Sequence, residues 1–231
     1  MATKITAPFF EIGPKSYLYG DEILELALAA DAASEKYGVD IIFTCPVVDI
    51  RRVKEATKRI HVFAPHMDPI PVGRGLADIL PESLVAAGAE GVMLNHVEKP
   101  VTFEVLAATI QRANEVGLTT IVCADSMADA SKIATLAPDI IVAEPSELIG
   151  TGVSVGPEYV EAAMKSVKNV NENILVLTAA GISNGTDVYN TIIAGADATG
   201  SSSGVAKAAD RPAMVDEMIA AGRKAWDERH N

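Results

Sequence analysis

Three ionisable residues stand at or just beyond the ends of apolar, β-branched runs. Lys15 follows ITAPFFEI, His96 follows GVMLN, and Glu144 closes DIIVAE. A carboxylate, an imidazole and an ammonium can move protons or balance charge. Singly, each fits a plainer role: a solvated loop glutamate, a structural histidine, a surface lysine. Glu98, two residues beyond His96, reads on its own as the acidic first turn of a helix. What sets Glu144 apart is the segment after Pro145. Leu148-Ile149-Gly150-Thr151-Gly152 joins apolar residues able to cap a site to glycines able to absorb backbone rotation, which is the composition of a lid.

Two further segments suit an anion. Ala180-Gly181-Ile182-Ser183-Asn184 follows one apolar run, and Gly200 to Gly204 follows the next. Small residues let backbone N–H groups approach a phosphate, and ensuing helix N-termini add favourable dipoles. Either could be an ordinary Gly/Ser turn; their pairing after the seventh and eighth runs favours phosphate. Cys45 and Cys123 lie within apolar runs and read as reduced core thiols. His61, His66 and Asp68 match no zinc spacing and no oxygen-rich cluster, so no metal site is expected.

The elements that must position these groups alternate along the chain. Strand candidates are ITAPFFEI, DIIFTC, HVFAP, GVMLN, TTIVCA, DIIVAE, ILVLTA and the weaker DATGSS. Helical stretches between them stop at Gly38, Gly88, Gly117 and Gly195, each suited to the left-handed position that ends a helix. Strand spacings of roughly 20–35 residues fit right-handed βαβ units. Eight such units with no break in composition predict an α/β fold: one TIM (β/α)8 barrel domain over residues 1–231. An open doubly wound sheet is disfavoured, since no G-x-G-x-x-G follows the first strand.

Composition sets outer limits. Of 231 residues, 49% are hydrophobic but only 5% aromatic, which suits buried parallel strands under Ala-rich helices. The net charge of −12, from 31 acids and 19 bases, argues against a nucleic-acid partner. It would also repel a phosphorylated ligand, so any phosphate site must be built locally. Met1-Ala2-Thr3-Lys4 leads straight into a strand pattern without a signal peptide, and no apolar stretch is long enough to span a membrane. A soluble cytoplasmic protein is expected.

With these residues in place, the chain resembles the triosephosphate isomerase family in its short archaeal form, over essentially its whole length. Ala143-Glu144-Pro145-Ser146-Glu147-Leu148-Ile149-Gly150-Thr151-Gly152 is similar to the family's catalytic glutamate and closing lid. Gly91 to Lys99 is similar to the strand-four motif that delivers its histidine, and Ala180-Gly181-Ile182-Ser183 with Ser203-Gly204-Val205 to its two phosphate loops. The resemblance implies isomerisation of a small phosphorylated sugar through an enediol, without a cofactor. Glu144 is then the base, and His96 the neutral group that polarises the carbonyl. Lys15 balances charge, held by Glu98. The implied substrate contacts are Lys15, Ile149, Gly150, Ala180, Gly181, Ser183, Ser203 and Gly204. A homo-oligomer, dimer or tetramer, is also implied.

Three positions depart from the family. Gly13 stands where an Asn normally donates a hydrogen bond to the reacting oxygens, and Val97 stands where a Ser follows the histidine. The loop Pro71 to Ala77 lacks the usual Thr-Gly pair that meets a partner subunit. Gly13 predicts room for a longer carbon chain, so a tetrulose phosphate is an alternative substrate. A catalytically weak barrel that binds phosphorylated metabolites is another alternative.

Overall fold

The computed structural model describes residues 4–231. Met1, Ala2 and Thr3, which the sequence reading includes in the barrel domain, lie outside the described residues. Eight parallel strands close on themselves in chain order. They are β1 (Phe9–Ile12), β2 (Asp40–Thr44), β3 (His61–Ala64), β4 (Gly91–Leu94), β5 (Thr119–Ala124), β6 (Ile140–Ala143), β7 (Leu175–Thr178) and β8 (Ala198–Ser201). Pairing of β1 with β8, from Phe9 opposite Ala198 to Ile12 opposite Ser201, closes the ring. The helices are α1 (Asp21–Tyr37), α2 (Ile50–Ala56), α3 (Pro81–Ala87), α4 (Phe103–Val116), α5 (Met127–Ala134), α6 (Pro157–Lys168), α7 (Gly185–Ile193), α8 (Ser203–Ala206) and α9 (Arg211–His230). This is a TIM barrel.

Strand alternation sorts the apolar residues into two layers. Phe9, Ile42, Phe63, Ile121, Ile140, Leu177 and Ala198 fill the barrel's interior. Phe10, Ile12, Ile41, Phe43, Val62, Val122, Ile141 and Val176 face outward, where they meet Ile23, Leu26, Ile110 and Val160 of the helices. Both faces of each strand are therefore dry, which is why the strands read as continuous apolar runs. Each fully buried aliphatic side chain contributes about 1.5–3 kcal/mol, so the layers hold the ring without help from its rim. The rim is free to carry charge.

All eight expected strands are present. The first is shorter than its pattern and begins at Phe9. Pro8 has no N–H for a ladder, and Thr6 instead bonds the Asp40 carboxylate through N–H and hydroxyl. Gly38, Gly88 and Gly117 end their helices in the left-handed conformation, as expected. At Gly195 the expectation needs correction: Ala194, right-handed, caps α7, and the glycine follows at φ 120°.

Opposite the functional rim, His61 opens β3 between two carboxylates. Its Nδ1 is 2.8 Å from Glu90 Oε2, and its Nε2 is 3.8 Å from Asp40 Oδ1. Burial pushes His61 down, but hydrogen bonding to Asp40 and Glu90 outweighs it and raises the imidazole to about 9. This belt ties the starts of β2, β3 and β4 together. His66 lies 3.3 Å from Asp68, whose other oxygen accepts from the Ile79 N–H and folds the 68–79 loop onto itself.

Candidate active site

One cavity of about 640 Å³ opens at the C-terminal ends of the strands. Lys15, His96, Glu98, Glu144, Ile149, Gly150, Ala180, Gly181, Ser183, Ser203 and Gly204 all line it. The sequence places these groups on five different βα connections, and closure of the ring brings them to one mouth. Barrel geometry alone accounts for that convergence, because every parallel strand ends on the same face.

Lys15 is held in the left-handed conformation (φ 48°) just after β1, and its Nζ donates to Glu98 Oε1 at 3.1 Å. The Glu98 backbone N–H donates to His96 Nδ1, also at 3.1 Å. That bond fixes the neutral tautomer, with the ring proton on Nε2. Burial, with the Lys15 charge second, holds His96 below its ordinary value and keeps the ring uncharged at neutral pH. A neutral imidazole with Nε2–H can donate to a carbonyl oxygen.

Glu144 continues β6, its N–H donating to Ala124 O at 3.1 Å. Burial raises its carboxyl above the usual range; Lys15 opposes this, while Glu98 and Asp125 add to it. The outcome is a carboxylate with a stronger hold on a proton than a surface glutamate has. The segment after it starts as a 3-10 turn, Ser146–Leu148, pinned by the Ser146 N–H on Asp125 Oδ1 at 2.9 Å. Val97 is exposed and lines a smaller hollow beside the main one, together with Asp125, Glu144 and Ile149.

At the β7 and β8 side of the mouth, α8 starts at Ser203, so its first N–H groups have no partner within the helix. Gly204 packs closely on the neighbouring loop: a Cβ there would sit 2.5 Å from Ile182 O. Gly181, at φ +69°, lies against Val153 of the β6–α6 connection, where an added Cβ would be 2.0 Å from Val153 O. Ser183 lines the cavity, but both its N–H and its Oγ are taken by Asp187 Oδ2 at 2.9 Å. The other Asp187 oxygen accepts from Ser154 Oγ at 3.3 Å, so one carboxylate joins the end of the β6–α6 connection to the loop after β7.

Sequence reasoning missed several lining residues. Lys207, just beyond α8, faces the cavity as a further cation, with its Nζ 4.8 Å from the Tyr17 ring centroid. Cys123 proves to be a lining thiol as well as a buried one, and Cys45 is wholly buried and pushed up to about 12 by burial. Most consequential is Glu11. It shares the inward face of β1 with Phe9, two residues before Gly13, is only 8% exposed, and accepts from Thr44 Oγ1 at 2.5 Å. The signal was a lone acid inside the apolar run FFEI.

Glu11 also corrects the reading of Gly13. A Cβ on Gly13 would stand 2.9 Å from Glu11 Oε1, so the space beside that glycine is occupied by a carboxyl rather than open for a longer substrate.

Comparison with known proteins bears on this arrangement. The model of the family described as "Triosephosphate isomerase" matches residues 14–219. A "Triosephosphate isomerase" of Sulfolobus acidocaldarius is 34% identical over 226 residues, which is 96% of this chain and 98% of that protein. One from Methanocaldococcus jannaschii is 37% identical, covering 87% of this chain and 92% of its own length. A third, from Methanobacterium bryantii, is 37% identical over 90% of this chain and 95% of its own. Agreement this close along nearly the full length places the chain in the triosephosphate isomerase family.

Proposed function

We propose that this protein interconverts glyceraldehyde 3-phosphate and dihydroxyacetone phosphate through an enediol, with Glu144 as the base. One observation carries the reading: Glu144 and a neutral His96, its proton on Nε2, line a single cavity that also holds a lysine and two small-residue loops. Glu144 takes a proton from the carbon beside the carbonyl and returns it to the neighbouring carbon. Burial raises its pKa and so gives it a stronger hold on a proton than an exposed carboxylate has. His96 gives its Nε2 proton to the carbonyl oxygen as negative charge develops there and takes the proton of the neighbouring hydroxyl in return. One proton thus passes between the two oxygens while Glu144 moves the other between the carbons. Lys15, steadied by Glu98, offsets the charge of phosphate and enediolate. The N–H groups at the start of α8 and along 180–182 receive the phosphate, as Ile149 and Gly150 close above it. Closure excludes water and strengthens each of these interactions.

The test is turnover of glyceraldehyde 3-phosphate by the wild-type protein and by Glu144→Gln. The variant should lose at least ~10²-fold in kcat while inorganic phosphate still binds. Near-normal turnover would remove Glu144 from this role, and a wild-type protein inactive on the triose would remove the substrate.

We further read the chain as a homo-oligomer, dimer or tetramer, of the cytoplasm. Leu76 at 103% exposure and Val72 at 69% leave apolar surface on the third βα loop that a second copy would cover, which light scattering on the purified protein tests. Among the described residues, no helix is long and apolar enough to cross a membrane.

A further inference from the structure

We propose that Glu11 is a further catalytic residue, whose carboxylic acid donates a hydrogen bond from Oε2 to the reacting oxygens of the substrate. The inference deepens the isomerase reading and rests on it. In family terms it supplies, from a different position on β1, the donor that Gly13 cannot.

Four features of the mouth support this. The carboxyl lies in the same cavity as Glu144, His96 and Lys15. Two glycines make its room: a Cβ on Gly13 would be 2.9 Å from Oε1, and one on Gly200 of β8 would be 3.1 Å from Oε2. Thr44 of β2 donates to Oε1, and Oε2 has no hydrogen-bond partner among the described residues. An acid whose one oxygen accepts from a hydroxyl carries its own proton on the other. The free oxygen is therefore the donor.

Titration agrees with the geometry. Burial raises Glu11 to about 7, with the Thr44 bond opposing, Glu144 adding and Lys15 opposing. Charged or titratable groups reach it from beyond β1 (Lys15), from the end of β6 (Glu144) and from β5 (the Cys123 thiol, itself held well up by burial). Two carboxyls in one mouth cannot both ionise freely. The deeper one, Glu11, keeps its proton and donates, and Glu144 is the one left to accept. No bond is made or broken at Glu11.

The experiment compares wild type, Glu11→Leu and Glu11→Gln. Kinetics on glyceraldehyde 3-phosphate run from about pH 5.5 to 9. A planar phosphorylated hydroxamate, which mimics the enediolate, and inorganic phosphate are titrated by calorimetry. Thermal melts verify that each variant folds. Glu11→Leu should lower kcat by ~10²-fold and weaken the hydroxamate by at least ~10-fold, with phosphate affinity unchanged. Glu11→Gln puts an amide O against Thr44 and an NH2 where Oε2 was. It should recover at least ~10-fold of the lost kcat and abolish the alkaline limb of kcat/KM near pH 7 that Glu11 imposes on the wild type. Glu144 and the substrate phosphate titrate in all three proteins, so the difference between profiles belongs to Glu11.

An active wild type with an equally active Glu11→Leu, or a Glu11→Gln that keeps the alkaline limb, overturns the inference and leaves the isomerase reading standing. A wild type inactive on the triose, whose hydroxamate affinity still falls in Glu11→Leu, overturns the triose substrate and keeps Glu11 as a donor. Failure of the wild type to bind the hydroxamate overturns both.

Discussion

Substituting Gly181 by Ala isolates the joint between lid and phosphate loop. Two costs add there. The first is conformational: φ is +69°, and an L side chain in the left-handed region costs about 1 kcal/mol. The second is steric, because the new Cβ would be 2.0 Å from Val153 O and 2.2 Å from its carbonyl carbon, both backbone atoms. Relief to ordinary contact requires the lid's far end to retreat by more than about 1 Å. The residues that close over the mouth, Ile149 to Gly152, are only a few positions upstream and shift with it. Misplacement of about 1 Å at a reacting centre can cost ~10²-fold.

Gly117→Ala supplies the control. It has φ +80° and nothing within 4 Å of an added Cβ, so it carries the conformational cost without the collision. Both variants should melt a few degrees low, about 2–4 °C per kcal/mol for a chain of this size. Only Gly181→Ala should lose kcat, by ~10²-fold, with a higher KM for the triose phosphate. Steady-state kinetics beside calorimetric melts decide the matter. A Gly181→Ala enzyme within about threefold of wild type would show that closure does not depend on this contact. Equal loss in Gly117→Ala would show that turnover tracks stability instead.

Two other perturbations follow from the charges. Lys15→Met should weaken binding of the phosphorylated hydroxamate by at least ~10-fold, since Lys15 is the cation that Glu98 holds at the mouth; unchanged affinity in calorimetry would remove its charge-balancing part. At the opposite rim, His61 titrates higher in the folded chain, near 9, than its ordinary 6.5, so its stabilisation is complete below 6.5 and is lost as pH rises through about 9. Asp40 and Glu90, lowered to about 2 by hydrogen bonds that outweigh their burial, stabilise above the ordinary carboxylate range and lose that contribution as pH falls toward 2. The His61 part is at most about 3 kcal/mol, less whatever solvent screens. The melting temperature should fall between about pH 7 and 10 in the wild type and stay flat in His61→Gln; parallel curves would refute the belt's role.

Much of this molecule could be read from its chain because two periodicities carry most of the information. Strands dry on both faces must be continuous apolar runs, and DIIFTC, TTIVCA and DIIVAE left little ambiguity. The rim followed from the rule that parallel strands end together, which is how Glu144, His96 and Lys15 could be joined before any coordinates. What stayed hidden has a shared cause: it depends on which neighbour fills a given space. Gly13 looked like an empty place because its occupant, Glu11, belongs to the same strand two residues earlier and reads as a stray acid. Ser183 looked like a phosphate donor because its partner, Asp187, lies a helical turn further on. The His61 belt joins three strand starts separated by tens of residues, and no spacing rule announces it.

The acidity of the chain and the anionic ligand are reconciled at the mouth itself. With a net charge of −12, the average field opposes a phosphate, and the cavity adds Glu11, Glu98 and Glu144 to that opposition. Yet their charges do not simply sum. Glu98 is spent against Lys15 at 3.1 Å, and Glu11, raised to about 7, is in good part neutral at physiological pH. Lys99 and Lys207 also line the opening. A phosphate dianion entering this space disfavours ionisation of whatever acids remain. It drives Glu11 further toward the protonated form that can donate, and it strengthens the hold of Glu144 on the proton it must take. Substrate charge, which looks like an obstacle in the composition, thus pushes each carboxyl toward the state its part in the reaction requires.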